Sequence, residues 1–168
     1  MSKYVYRYNF PIGWIYIAGE REAITDIAPR PIFGAVEKET PLISKAAGML
    51  YEYFDGIRTS FLDLPLRTGG TVFQKKAWNA LLDIPYGETR TYKDQAKAIG
   101  NVKACRAVGA ANGKNPIMII IPCHRVVGSD GSLTGYAGGL DVKKALLDFE
   151  RSNNKQRFTG GGLSPRST

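Results

Sequence analysis

The chain carries two cysteines and one histidine, and that histidine directly follows one of the cysteines in Pro122-Cys123-His124-Arg125-Val126. The thiolate is the nucleophilic form of cysteine. Free thiols titrate near pH ~8.5, so a reactive cysteine needs a base or positive surroundings. His124 is the one imidazole available. Glu150 is read as closing the last helix, where a carboxylate opposes the helix dipole, at the edge of that helix's apolar face. An acid so placed points to a role outside its helix, and orienting a histidine is one such role. Each residue alone also fits a plainer description: a buried core cysteine, a surface histidine, a solvated glutamate.

The elements that must position these groups are legible around them. Ile117-Met118-Ile119-Ile120-Ile121 is an apolar run that predicts a buried strand, and Pro122 ends its ladder because proline lacks an N–H. Cys123 is thereby delivered to the rim of a core. Neighbouring strand residues point to opposite faces, so His124 is expected to reach the sulfur through water or through a turn that bends the backbone.

Upstream, Thr71-Val72-Phe73-Gln74 predicts a capping box opening a helix through Leu82, and Pro85-Tyr86-Gly87 a turn. Thr91-Tyr92-Lys93-Asp94 predicts a second helix ending at Gly100, and Asn101 a cap for a third over Val102 to Gly113, stopped by Asn115-Pro116. Two short helices joined by a Gly-Asn turn form a helix-turn-helix pattern. Its second helix is smooth: Ala104, Cys105, Ala107, Val108, Gly109, Ala110 and Ala111 are small, and only Lys103, Arg106, Asn112 and Lys114 are long or polar. Such a surface fits a groove floor without reading bases, and equally fits tight packing against other helices. Asp141 is expected to cap the last helix, with Val142, Ala145, Leu146 and Phe149 on its core face.

The first half shows no catalytic constellation. Tyr4, Tyr6 and Tyr8, then Trp14 and Tyr16, alternate with their neighbours as strands do, a hairpin turn is expected at 19–22, and Thr40-Pro41 opens a helix. At 43% hydrophobic and 23% charged, the 168 residues read as globular rather than disordered. No stretch approaches the ~20 apolar residues of a membrane span. With no signal-peptide pattern and no disulfide framework, a reducing, cytoplasmic location is expected (nuclear in a eukaryote). Residues 1–71 balance 8 basic against 8 acidic side chains, whereas 72–168 hold 15 against 7. A basic half suits a polyanion partner, and a solvated basic face as well.

From about Val72 to Glu150 the chain resembles the O6-alkylguanine-DNA alkyltransferases. The resemblance rests on Pro122 to Val126, Gly87 to Tyr92, Arg106-Ala107-Val108-Gly109, Asn115-Pro116, Gly135-Tyr136 with Gly138-Gly139, and Leu146-Leu147 leading to Glu150, six blocks in one order. It implies an α/β N-terminal domain, a small antiparallel sheet plus a helix, followed by a mainly α winged helix-turn-helix-like DNA-binding domain. The expected boundaries are 1–64, a linker at 65–70, 71–151, and a disordered basic tail at 152–168.

The implied activity is single-turnover DNA repair, in which Cys123 takes an alkyl group from O6 of a flipped-out guanine, with O4-alkylthymine a further candidate. The implied relay runs from Glu150 to His124 to a water to Cys123. Tyr92 would donate to the departing base, and Asn115 would brace the acceptor turn. Arg106 would fill the gap left by the flipped nucleotide, on a helix in the minor groove with Lys103, Ala107, Asn112 and Lys114. Val126, Gly135, Tyr136, Ala137 and Gly138 would shape the base pocket. Ala137 stands where many relatives have serine, which leaves the alkyl-size preference open.

No cofactor is implied, because the lesion is the alkyl donor. No metal is implied either: positions 1–104 lack cysteine and histidine, so the zinc site of some relatives cannot form. The partner would be double-stranded DNA carrying O6-alkylguanine, bound without sequence preference by a monomer. A lesion-binding relative without transfer activity, a helix-turn-helix regulator and a cysteine hydrolase are the competing readings. Cys123 itself, the side-chain-poor helix and the adjacency of Cys123 and His124 speak against them in turn.

Overall fold

The computed structural model of the protein describes residues 2–136 and 138–159, with 157–159 described by backbone alone. In the first unit, β1 (Tyr4–Phe10) and β2 (Gly13–Gly19) pair antiparallel from Tyr4↔Gly19 to Phe10↔Gly13. Pro11 and Ile12 are left for the turn, and Gly13 closes it at φ 111°, a region that side chains avoid. β3 (Ile24–Ala28) adds antiparallel to β2. β4 (Val36–Glu37) adds parallel to β1, so the sheet order is β3-β2-β1-β4. Thr40 Oγ1 accepts from the Ile43 N–H and Pro41 fills the first position of α1 (Pro41–Phe54). This helix buries Ile43, Ala46, Ala47, Met49, Leu50 and Tyr53.

Residues 65–67 are not a free linker. The Ile24 N–H donates to Pro65 O and the Arg67 N–H to Ile24 O. The outer edge of β3 carries unpaired backbone groups, and the passing chain satisfies them. The first unit ends at Gly69 and the second begins at Gly70.

In the second unit, α2 (Val72–Leu81) has the Thr71/Gln74 capping box. β5 (Arg90–Thr91) leads into α3 (Tyr92–Ala98), capped reciprocally by Thr91 and Asp94. Gly100, at φ 81°, ends α3 in a Schellman motif: its N–H donates to Lys97 O, and the Asn101 N–H to Ala96 O. Asn101 is therefore spent on closing α3 and does not cap the next helix. α4 runs over Cys105–Gly113, starts at Ala104 without a side-chain cap, and leaves Lys103 in the preceding turn.

Two further expectations are corrected. Residues 117–121 are buried as expected but form no strand. Ile120 N–H donates to Met118 O, Ile121 N–H to Ile117 O, and Ile119 sits at φ 71°, which a β-branched residue rarely adopts. The run turns on itself, with a single bridge residue at Ile117.

The last helix, α5 (Leu140–Thr159), also continues nine residues past Glu150, so 152–159 are helical. Glu150 lies mid-helix, and the end-of-helix argument does not apply to it. The extension is held by Asn153, whose amide donates to Tyr86 Oη at 2.9 Å. Asn154 lies so close to Gly87 that a Cβ there would come within 2.5 Å of its Nδ2. Residues 160–168 and Ala137 fall outside the described residues.

Candidate active site

Cys123 is placed by turns rather than by a strand. Pro122, at φ −83° and ψ 63°, centres an inverse γ-turn in which the Cys123 N–H donates to Ile121 O at 2.8 Å. A single 3₁₀ turn, Cys123–Arg125, follows and leads into β6 (Val126–Val127), which pairs parallel with β5. Asn115 braces this path from both ends. Its Oδ1 accepts from the Ile117 N–H at 3.0 Å, and its Nδ2 lies 2.7 Å from Ile121 O and 3.1 Å from Cys123 Sγ. Burial pushes the Cys123 thiol up, against the Asn115 hydrogen bond and the charge of Lys143, which favour the thiolate. The resting cysteine is a shielded thiol.

Behind it lies a buried polar chain. His124 Nε2 is 2.6 Å from Glu150 Oε2, with both side chains out of solvent. Arg125 grips the same carboxylate, Nε to Oε1 at 2.7 Å and Nη2 to Oε2 at 3.1 Å, and its Nη1 donates to Ile84 O at 2.8 Å. Burial alone pushes the Glu150 carboxyl up, but His124 and Arg125 together hold it far below the usual carboxylate range. Glu150 is therefore an anion held by His124 and Arg125, with the Gly87 N–H donating to Oε1 at 3.4 Å. His124 Nδ1 is buried without a partner among the described residues. With Nε2 turned to Glu150, Nδ1 is the nitrogen left to accept a proton.

The residues expected to line a base pocket lie on α3, on the stretches 132–136 and 138–139, and at Val126. Tyr92 Oη donates to Thr134 O and accepts from Thr134 Oγ1, both at 3.1 Å. Lys143 Nζ donates to the same carbonyl at 2.9 Å. Gly135, at φ 46°, turns the loop. The Tyr136 phenol is held well above its ordinary value, by burial first and then by the charges of Cys123 and Glu150. Gly138 packs against the Tyr136 ring, where a Cβ would come within 3.1 Å. Val126 is fully buried.

Lys103, Arg106, Ala107, Ala110 and Lys114 are exposed along one side of α4 and its approach. Asn112, expected among them, is not. It is buried in a reciprocal amide pair with Gln95, 2.9 and 2.7 Å, and Gln95 also donates to Ala77 O. Sequence reading missed this pair, Arg125's hold on Glu150, and Lys143. The buried stripe of α5 is Lys143, Leu146, Leu147 and Glu150, spaced i, i+3, i+4, i+7, while Ala145 is exposed. Two charged residues on an apolar stripe were the available signal.

Residues 72–152 match the family described as the 6-O-methylguanine DNA methyltransferase DNA-binding domain. The chain is 49% identical to the methylated-DNA–protein-cysteine methyltransferase of Methanosarcina acetivorans, over 86% of this chain and 96% of that one. This chain belongs to the methylated-DNA–protein-cysteine methyltransferase family. The constitutive Bacillus subtilis methyltransferase is 44% identical over 88% of this chain and 94% of its own. Mycobacterium tuberculosis OGT, in its crystal structure with DNA, superposes with a TM-score of 0.83 at 43% identity, covering 91% of this methyltransferase and 94% of that chain. Among the described residues no helix is long and apolar enough to cross a membrane.

Proposed function

We propose that this methyltransferase repairs alkylated DNA directly, by moving the alkyl group from O6 of a flipped-out guanine to Cys123. The observation that carries the reading is the buried assembly around one cysteine: a thiol held by Asn115 next to an imidazole fixed by Glu150. As the S–C bond forms and the C–O6 bond breaks, the electron pair of the latter goes to the base. The thiol proton leaves through a water to His124 Nδ1, and Glu150 stabilises the imidazolium. Tyr92 donates a proton to the departing guanine. Its hydroxyl is already polarised toward that wall by Thr134. The thioether is stable, so each molecule acts once.

The base must leave the stack, at about a few kcal/mol, less when the lesion mispairs. Arg106 is exposed on α4 and takes the place of the flipped nucleotide. Its neighbours Ala107 and Ala110 let the helix lie in the minor groove. Poor base reading suits repair in any sequence context, and the basic excess of 72–168 supplies phosphate contacts for a monomer. Intact-protein mass after incubation with a duplex holding one O6-methylguanine tests the reading. A gain of one CH₂ is expected on Cys123 and none in Cys123→Ser. Modification of Cys105 with Cys123 untouched would sink it.

A further inference from the structure

The stretch of α5 beyond Glu150 has no part in the reaction above, yet it is docked at a particular place. Asn153 Nδ2 donates to Tyr86 Oη at 2.9 Å, and Asn154 takes the space that a side chain at Gly87 would need. The same 84–87 turn meets the buried ion pair at three points. Ile84 O accepts from Arg125 Nη1 at 2.8 Å, and the Arg125 guanidinium carbon lies 5.6 Å from the centre of the Tyr86 ring. The Gly87 N–H donates to Glu150 Oε1 at 3.4 Å. The turn therefore bridges the helix extension and the Arg125–Glu150 pair. A buried ion pair holds together only where its geometry is good and its remaining hydrogen bonds are made.

We propose that Asn153 and Tyr86 are positioning residues for alkyl transfer: through their hydrogen bond, α5 beyond Glu150 fastens the 84–87 turn onto Arg125 and Glu150, and so fixes the carboxylate that orients His124. This rests on the reading of Cys123 as the acceptor and adds two residues outside the Cys123–His124–Glu150 relay. The contacts run from Asn153 to Tyr86, from Tyr86 to Arg125, from Arg125 to Glu150 and from Glu150 to His124. Asn153 and Tyr86 are partly exposed, whereas Glu150 and His124 are out of solvent. Water competes for the outer bond and is kept from the inner one. Loosening the outer bond admits water to the carboxylate, where a low local dielectric had strengthened its bond to the imidazole. The imidazole then loses the fixed direction in which Nδ1 takes the thiol proton.

Tyr86→Phe keeps the ring beside Arg125 and removes only the oxygen, and Asn153→Leu keeps the size and removes the donor. Both side chains are partly exposed, so neither change empties a core. The two variants and their combination are timed by mass gain from free O6-benzylguanine over a range of base concentrations, well below the melting temperature. The limiting rate should fall about tenfold in each single variant, as misplacing a catalytic group does. The half-saturating concentration should stay at the parent value. The double variant should be no slower than the singles, because the same bond is lost in all three. His124 is the only histidine, so its imidazole N–H gives one proton resonance. Exchange of that proton with solvent should speed up about tenfold in all three variants by local opening, while the amides of α4 keep their parent rates. An unchanged limiting rate and unchanged exchange, additive losses in the double variant, or a change confined to the half-saturating concentration overturns the proposal. Exchange sped equally at His124 and in α4 would mark a bond that only holds the fold together, and overturns it as well. If Cys123 were not the acceptor, the parent protein would gain no mass from O6-benzylguanine, while the imidazole exchange would still be read.

Discussion

Asn115 Nδ2 donates to Cys123 Sγ at 3.1 Å while donating to Ile121 O at 2.7 Å, so one amide sets both the sulfur and the turn beneath it. The same side chain accepts from the Ile117 N–H, which closes a loop of buried residues.

Asn115→Ala should therefore lose stability and reactivity together. It leaves the buried Ile117 N–H unsatisfied, at roughly 1–3 kcal/mol before relaxation, and removes one of the two donors to Ile121 O. Thermal melting and the rate with O6-benzylguanine measure the two losses. A variant with parent stability and a slow rate would restrict Asn115 to the sulfur alone.

Glu150→Gln leaves Arg125 buried without its anion and should cost about 3–5 kcal/mol. The parent protein should also show an acid dependence that the variant lacks. Glu150 has a depressed value in the fold, so its stabilisation is complete above the ordinary carboxylate range, near pH ~4.3. It is lost as pH falls below that range toward the folded value. Urea unfolding between pH 6 and pH 2 should be steeper in pH for the parent than for the variant. Parallel curves would mean that Glu150 is not the coupled group.

Arg106→Ala should impair repair in duplex DNA far more than reaction with free O6-benzylguanine, since the free base needs no extrusion. Arg106 is exposed on α4 with no ion pair among the described residues, so the variant should fold as the parent does. Equal losses on both substrates would assign Arg106 to the chemistry or the fold.

Asn112→Met alone should cost about 1–3 kcal/mol, because Gln95 Oε1 loses its donor in the interior. Gln95→Leu combined with Asn112→Met should recover most of that loss. The salt dependence of DNA binding should be the same in the double variant as in the parent, since neither residue reaches the surface. A shallower slope would return Asn112 to the DNA-facing set.

What could be read from the sequence follows its local physics. Thr40, Thr71 and Thr91 each place a helix start correctly, because a cap is satisfied within four residues of itself. The order of Cys123, His124 and Glu150 carried part of the family resemblance, because residue types in a fixed order are legible without coordinates.

Tertiary structure decided whatever depends on who sits opposite. The Ile117–Ile121 run is apolar enough for a strand, but its backbone bonds to itself and to Asn115, so burial was legible and conformation was not. Asn101 resembles a cap, yet it closes the helix before it. Asn112 looks like a polar reader on a smooth helix until Gln95 is found 2.7 Å away. Lys143 and Glu150 share a helix stripe in any reading. Only the fold shows that the carboxylate is claimed by His124 and Arg125 while the ammonium donates to the Thr134 carbonyl, because pairing of buried charges is settled by distance and not by spacing along the chain.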